Sequence, residues 1–462
     1  MRDAQHISEA YRPLASLVAI DPELLPTGTP PSYIFHYIDI ASATQGRLLL
    51  PDDGIEYRNA PSRARRVLRD GDVIMSTVRP NLKAFAYCRL PPGNFIASTG
   101  FAVLRAKEGT DPRFILYSIL SDDVTRQLER FVVGSNYPAI NSSDVKRLLV
   151  PNLSPHEQER IGEIIGAVDE AIEQTEALIA KTQQIKAGLM QDLFTRGVTA
   201  DGQLRPPREE APQLYKESPL GWIPREWEVA PIGYVFEIQL GKMLNKQAKT
   251  GRFSAPYVGN RAAQWDHIDI NALEEMDFYP TERSKFRLLP GDILVCEGGE
   301  VGRTAMWRGE LDECFYQKAL HRLRPNNGRA YNGYMLRFMR FACEVGFFRV
   351  FTSQSSIAHL TREKLARVLM LVPVISEQEH IAARFDSIDE ELEVIFADIA
   401  KLRQAKFGLM QDLLTGRVQV APKPAPHSSP QPSPRGRGQG RLLGRLRRMS
   451  EYLHVKKPFL QH

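Results

Sequence analysis

The side chains with chemical capacity in this sequence are polar, and they gather on short loops rather than in a catalytic constellation. Thr77-Val78-Arg79-Pro80-Asn81-Leu82-Lys83 places two cations and an amide on a proline-bent segment beside an expected strand, and Ser135-Asn136-Tyr137 adds hydroxyls and a second amide. A comparable set recurs further along: Asn260, Arg261, Gln264 and Trp265, then Arg303, then Gln317 and Lys318, then Ser353-Gln354-Ser355-Ser356. Arginine reads guanine edges, Asn and Gln read adenine, and Lys, Ser and Thr hold phosphates, so this vocabulary suits a DNA groove. Each residue alone is an ordinary solvated loop position. The recurrence of the set gives it weight.

Motifs of self-contained enzymes are missing from the sequence. There is no G-x-x-x-x-G-K-[ST] nucleotide loop and no H-E-x-x-H. Neither an N-P-P-Y tetrapeptide of an adenine methylase nor the acid, acid, lysine set of a nuclease is found. Gly298-Gly299-Glu300-Val301-Gly302-Arg303 has the glycines of a phosphate loop, but no helical pattern follows it; 304–307 reads as strand, so the segment is expected to be a turn between strands. His267, His321 and His359 stand without matching partners. Cys88, Cys296, Cys314 and Cys343 lie far apart with no C-x-x-C pair, which indicates buried, reduced thiols and neither a disulfide framework nor a zinc site.

The elements that must carry these loops are announced by an internal repeat. Residues 158–198 and 378–418 align at an offset of 220, with roughly half the positions identical, including Gly188-Leu189-Met190-Gln191-Asp192-Leu193 against Gly408-Leu409-Met410-Gln411-Asp412-Leu413. Ile161, Ile165, Val168, Ile172, Thr175, Ile179 and Thr182 step by four and three, and so do Ile381, Phe385, Ile388, Leu392, Ile395, Ile399 and Leu402. That is a heptad seam, best satisfied by another such seam. Ser154 and Ser376 with the acids that follow mark the helix starts, and Lys186 and Lys406 fall late, as the helix dipole favours. Two helices buried separately in two cores is the competing arrangement; narrow stripes and acidic outer faces favour an antiparallel coiled coil of rods about 60 Å long.

The repeat extends beyond the helices, because 288–294 matches 68–74 and 360–365 matches 140–145 at the same offset. The expected order is a mixed α/β domain over 1–151, a long helix over 152–198, a Pro/Gly-rich linker over 199–214, a second α/β domain over 215–373, a second long helix over 374–418 and a basic tail over 419–462. The fold class is therefore α/β (α+β), with an internal pseudo-two-fold repeat. In the first domain strands are expected at 33–40, 73–75, 85–88, 95–96 and 101–104, with a helix over 112–131 capped by Asp111.

Composition bounds the rest. At 462 residues with 43% hydrophobic content, ordinary cores are available to two or three domains. The formal charge of +5 belongs to the tail, where 421–462 holds nine Lys and Arg against one acid; a polyanion bound elsewhere must use local basic faces. With a polar N-terminus and no apolar run of 18 residues, a cytoplasmic protein without a membrane segment is expected.

Lys216-Glu217-Ser218-Pro219-Leu220-Gly221-Trp222-Ile223-Pro224 with Trp227, the Gly-Asp-Ile-Leu turn at Gly291, Pro373 followed by Glu377-Gln378-Glu379, and 408–415 together resemble the DNA-specificity subunit of type I restriction-modification enzymes. The likeness spans about residues 10 to 420. It implies two target recognition domains, each reading half of a bipartite asymmetric site in double-stranded DNA, separated by antiparallel helices that dock two methyltransferase subunits and leave room for a restriction subunit. It also implies no catalytic residue, metal or cofactor on this chain, with S-adenosylmethionine, ATP and Mg on the partners. Arg79 and Lys83 are expected to serve the first half-site, Arg303 and Gln354 the second. Tyr11-Arg12-Pro13-Leu14 replaces the Ser-Pro-Leu-Gly entry motif in the first unit, and the tail resembles nothing in the family. The competing functions are a coiled-coil scaffold without a DNA role and a self-contained DNA-modifying enzyme.

Overall fold

The computed structural model describes residues 10–132, 138–245, 248, 250–326, 328–348 and 359–420. They form two compact units: one runs to Thr175 and resumes at Asp398, the other is Glu176–Ala397. Both boundaries fall inside long helices, Pro155–Thr195 and Ile375–Leu414. Each unit thus holds one globular domain, part of one long helix and part of the other.

The helices pair in antiparallel fashion within each unit. In the first, Asp169 meets the Lys406 ammonium at 2.6 Å, while Ile161 and Ile165 share a core with Leu413 and Leu414. In the second, Lys186 meets Asp389, and Phe194 stacks on Phe385 with centroids 6.2 Å apart. The ion pairs are repeat equivalents, since 169 and 389, and likewise 186 and 406, differ by 220. Ile172, Thr175, Thr182, Leu392, Ile395, Ile399 and Leu402 are buried while most flanking positions are exposed, the signature of a two-helix seam. The helix ends do more than pair: Met190, Leu193 and Phe194 sit in the core of the second domain and Ile161 and Ile165 in that of the first. Pairing and burial in a domain core therefore both occur, at different levels of the same helices.

The repeat conceals unequal helix starts. The Ser154 hydroxyl caps the first helix, facing the Glu157 amide at 3.4 Å while the Glu157 carboxylate takes the Ser154 amide at 2.8 Å. At the second start Val374 occupies the equivalent position, and Ser376 lies within the helix instead of capping it. Glu377 turns inward, accepting from the Val198 amide at 2.8 Å and pairing with the Arg205 guanidinium.

Each domain is built on a four-stranded sheet of the same plan. The first has the order Val18–Ile20, Phe101–Ala106, Val73–Ser76, Phe85–Tyr87; the second has Phe236–Leu240, Leu320–Pro325, Ile293–Cys296, Thr304–Met306. All neighbours in these sheets are antiparallel. A second sheet stands beside each, four-stranded in the first domain and three-stranded in the second, pairing Ile34–Ile38 with Phe95–Ser98 and Ser254–Val258 with Phe315–Tyr316 in parallel. The turn into the central strand is fixed alike in both. Gly71 and Gly291 take φ of 85° and 92°, open to glycine at little cost, and the buried carboxylates of Asp72 and Asp292 accept from the amides of Arg69 and Leu289 at 2.8 Å. Arg105 and Arg324 then grip those carboxylates through two nitrogens each.

The single helix expected over 112–131 is two helices, Pro112–Leu120 and Asp122–Phe131. Ser121 adopts an extended ψ of 157° and its hydroxyl takes the Val124 amide at 3.3 Å, so it acts as a second N-cap in mid-run. The Ser-Asp-Asp triplet outweighs the helical periodicity around it.

Candidate nucleic-acid interface

In both domains the candidate loops leave the sheets at equivalent ends. In the first, the strand Val73–Ser76 runs into Thr77, whose amide donates to the Gly100 carbonyl at 2.8 Å and whose carbonyl accepts from the Ile140 amide at 2.9 Å. In the second, the strand Ile293–Cys296 runs into Glu297, whose amide donates to Ala319 at 2.9 Å and whose carbonyl accepts from Leu360 at 2.8 Å. The frame is the same to within a residue of the 220 offset. What departs from it differs between the two.

The first domain carries a turn, Pro80–Leu82, between Arg79 and Lys83. Both flanking residues are left-handed, with φ of 48° and 52°, which costs about 1–3 kcal/mol each for residues with a Cβ and concentrates at functional sites. The turn buries Pro80 and exposes Arg79, Asn81 and Leu82. The Arg79 amide is held by the Pro138 carbonyl at 2.7 Å, and its side chain is exposed. Lys83 turns the other way: its ammonium donates to the Leu120 carbonyl at 3.0 Å, at the end of a helix, and stands 4.0 Å from Asp122. It satisfies a helix C-terminus instead of facing outward. Ser135, Asn136 and Tyr137 lie outside the described residues.

Three loops meet in the second domain: 259–266, 297–303 and 317–319. Asn260 donates its amide to the Gly298 carbonyl at 3.1 Å, and the Arg303 guanidinium donates to the Asn260 carbonyl at 2.5 Å. Gly299, at φ 75°, allows this closeness, because a Cβ there would stand 2.9 Å from the Asn260 amide nitrogen. The Gln317 amide donates to Val258 at 3.1 Å and that of Lys318 to Lys242 at 2.8 Å. Gln264 spends its amide on the Arg261 carbonyl at 2.7 Å, leaving the exposed Arg261 side chain at the crest of the loop. Lys318 is half-buried. Asn260 and Arg303 therefore hold the loops 259–266 and 297–303 to one another and Gln264 braces its own loop, whereas Arg261 is exposed. Ser353, Gln354 and Ser355 lie outside the described residues.

The glycine-rich segment 298–302 is a turn between strands Ile293–Cys296 and Thr304–Met306, and no helix N-terminus follows it to receive a phosphate. Among the described residues no group of three or more His, Cys, Asp or Glu is placed to hold a metal ion. His321 is buried beneath the loops with its Nε2 2.7 Å from the Leu360 carbonyl, and burial pushes its pKa below the ordinary imidazole value. Cys88, Cys296 and Cys314 are buried and Cys343 is partly so; burial raises all four thiols, that of Cys343 to about 12. Among the described residues no helix is long and apolar enough to cross a membrane. Trp265, grouped in the sequence with the polar residues of the loop 259–266, is a brace for that loop: its indole N–H bonds Glu300 and its ring lies 4.7 Å under Arg340.

The family model described as the type I restriction modification DNA specificity domain matches residues 57–184 and 224–403. Among its relatives, the type I restriction enzyme MjaVIII specificity subunit of Methanocaldococcus jannaschii is 22% identical over 337 residues, 70% of this chain and 74% of the relative. The MjaX specificity subunit of the same organism is 24% identical over 327 residues, 68% and 70% of the two chains. A chain solved in work on complex assembly and conformational transition of the type I R-M system is 26% identical, covers 88% of this chain and 98% of its own length, and superposes with a TM-score of 0.55. The type I restriction-modification S subunit from M. genitalium, 16% identical over 87% of this chain and 95% of its own, shares the fold with a TM-score of 0.52.

Proposed function

The chain belongs to the type I restriction-modification DNA specificity family, and from that premise we propose that its two domains each read one half of a bipartite, asymmetric site in double-stranded DNA. The observation that carries this reading is the repeated frame with unlike loops. Thr77 and Glu297 are held by equivalent hydrogen bonds, yet one frame presents Arg79 and Asn81 on a strained turn and the other presents Arg261 above a braced loop. One scaffold with two sets of reading side chains should read two different sequences.

In this reading the chain is not itself the catalyst. It supplies sequence choice and a scaffold, while partner subunits bind S-adenosylmethionine and methylate adenine, and a restriction subunit, where present, uses ATP and Mg. Two methyltransferase subunits match the two repeats. Arg79, Asn81 and Arg261 are the base-facing candidates. Lys83, Asn260, Gln264 and Arg303 position the loops, and Lys318 stands at their edge. Ser135, Asn136, Tyr137, Ser353, Gln354 and Ser355 are retained as contacts from sequence alone.

The test is a methylation map. In cells expressing the chain with its methyltransferase partner, methylated adenines should define a split motif; Arg79→Gln should relax one half of it and Arg261→Gln the other. Methylation without a common motif would reject the reading, and a scaffold role would then stand in its place.

A further inference from the structure

The helix Asn332–Glu344 of the second domain is largely apolar where it packs, with one charged exception. The Arg337 side chain is only 3% exposed, and a guanidinium at that depth persists only if paired. Its Nη1 lies 3.1 Å from the Asp266 carboxylate, and its Nη2 lies 2.9 Å from Asp386 and 2.8 Å from Asp389. Burial works against the charge, but the three carboxylates outweigh it and hold the pKa above the ordinary guanidinium value. Asp386 and Asp389 belong to the second long helix, where Asp389 also takes Lys186 of the first.

Asp266 closes the loop that carries Asn260, Arg261 and Gln264. It is left-handed at φ 70°, its amide donates to the Thr304 carbonyl at 3.0 Å, and its carbonyl accepts from Arg308 at 2.9 Å. One turn beyond Arg337, Arg340 covers Trp265; Trp265 bonds Glu300, Glu300 stands 3.4 Å from Arg303, and Arg303 holds the Asn260 carbonyl. A continuous polar chain therefore runs from the long helix to the reading loop. The first domain is built differently. At the equivalent of Arg337 stands Tyr117, whose hydroxyl donates to Asp169 at 2.9 Å with Lys406 over its ring, a single neutral donor where the second domain has a charged fork.

We propose that Arg337 is a positioning residue for base discrimination by the second domain, its fork tying the loop 259–266 through Asp266 to the second long helix at Asp386 and Asp389. This rests on the reading that both domains recognise DNA. The fork fixes where Arg261 stands relative to the helix, so loosening it blurs which base is accepted without removing the side chains that touch DNA.

The full chain is assembled with its methyltransferase partner, and binding is compared between the mapped site and sites altered at single positions in each half. Asp266→Gly is the primary variant, because glycine accepts φ 70° and Arg337 keeps two carboxylates. Arg337→Met removes the fork, and Arg337→Lys restores the charge without its geometry. Asp266→Gly and Arg337→Met should lower discrimination in one half-site by about tenfold and leave the other half unchanged, with Arg337→Lys intermediate. Equal weakening on all sequences, or wild-type discrimination in Asp266→Gly, overturns the inference even if Arg337→Met fails to fold. A wild-type complex that discriminates no sequence overturns the functional reading, and this inference with it.

Discussion

Arg79 and Lys83 share a left-handed backbone and flank the same three-residue turn, yet one side chain faces outward and the other closes a helix end. Arg79→Gln should therefore cost about 1–3 kcal/mol at one base position with stability little changed. Lys83→Met should lower stability by about 1 kcal/mol and weaken binding evenly across sequences. Titrations against the cognate site and its single-base variants separate the two outcomes. His321 makes a prediction of a different kind. Its folded pKa is depressed, so the unfolded chain takes up the proton first as pH falls through about 6.5. Its contribution is whole above that value and is lost below it. All four tryptophans, at 222, 227, 265 and 307, lie in Glu176–Ala397, so their fluorescence follows that unit alone. The urea midpoint should fall more between about pH 7.5 and pH 5.5 in the wild type than in His321→Gln. Equal slopes would assign the pH dependence elsewhere.

At the scale of elements, the two long helices are repeats whose starts are fastened by different chemistry. Glu157 belongs to an exposed serine cap, whereas Glu377, its repeat equivalent, is buried against Arg205 and takes the Val198 amide. Removing Glu377 leaves the buried Arg205 charge with only the exposed Glu226 carboxylate at 3.1 Å as ion-pair partner, at about 3 kcal/mol, while losing a cap costs about 1 kcal/mol. Glu377→Ala should accordingly shift the fluorescence-detected transition strongly, and Glu157→Ala should shift the helical circular dichroism only slightly. Restoring part of the loss with Arg205→Met on the Glu377→Ala background would confirm that the stranded charge, not the lost bond, carries the cost. Similar effects from both alanine variants would mean that the sequence repeat also repeats the energetics.

At the scale of the molecule, duplication has supplied two domains on one sheet plan, and charge has been placed outside them. The segment 421–462 carries nine Lys and Arg against one acid and can offer sequence-independent counterion release. A chain ending at Val420, assembled with its methyltransferase partner, should direct methylation to the same motif, bind all DNA less tightly, and show a shallower dependence of affinity on salt. A changed motif would move part of the recognition into the tail.

The sequence by itself determined what repeats and alternation encode: two domains, two long helices with a seam, and the common glycine and aspartate turn at Gly71 and Gly291. Those features are local or periodic, so neighbouring residues specify them. Tertiary structure alone decided which polar residues are available. Arg79 and Arg303 read alike in sequence, but Arg303 is drawn in by the Asn260 carbonyl from 43 positions away while Arg79 lies exposed on its turn. Ser121 divided a helix that periodicity joins, and Glu377 turned inward where its repeat caps. Arg337 had no signal at all, since its three carboxylates come from a loop and a helix distant in the chain. The worth of a buried charge depends on partners that only folding assembles.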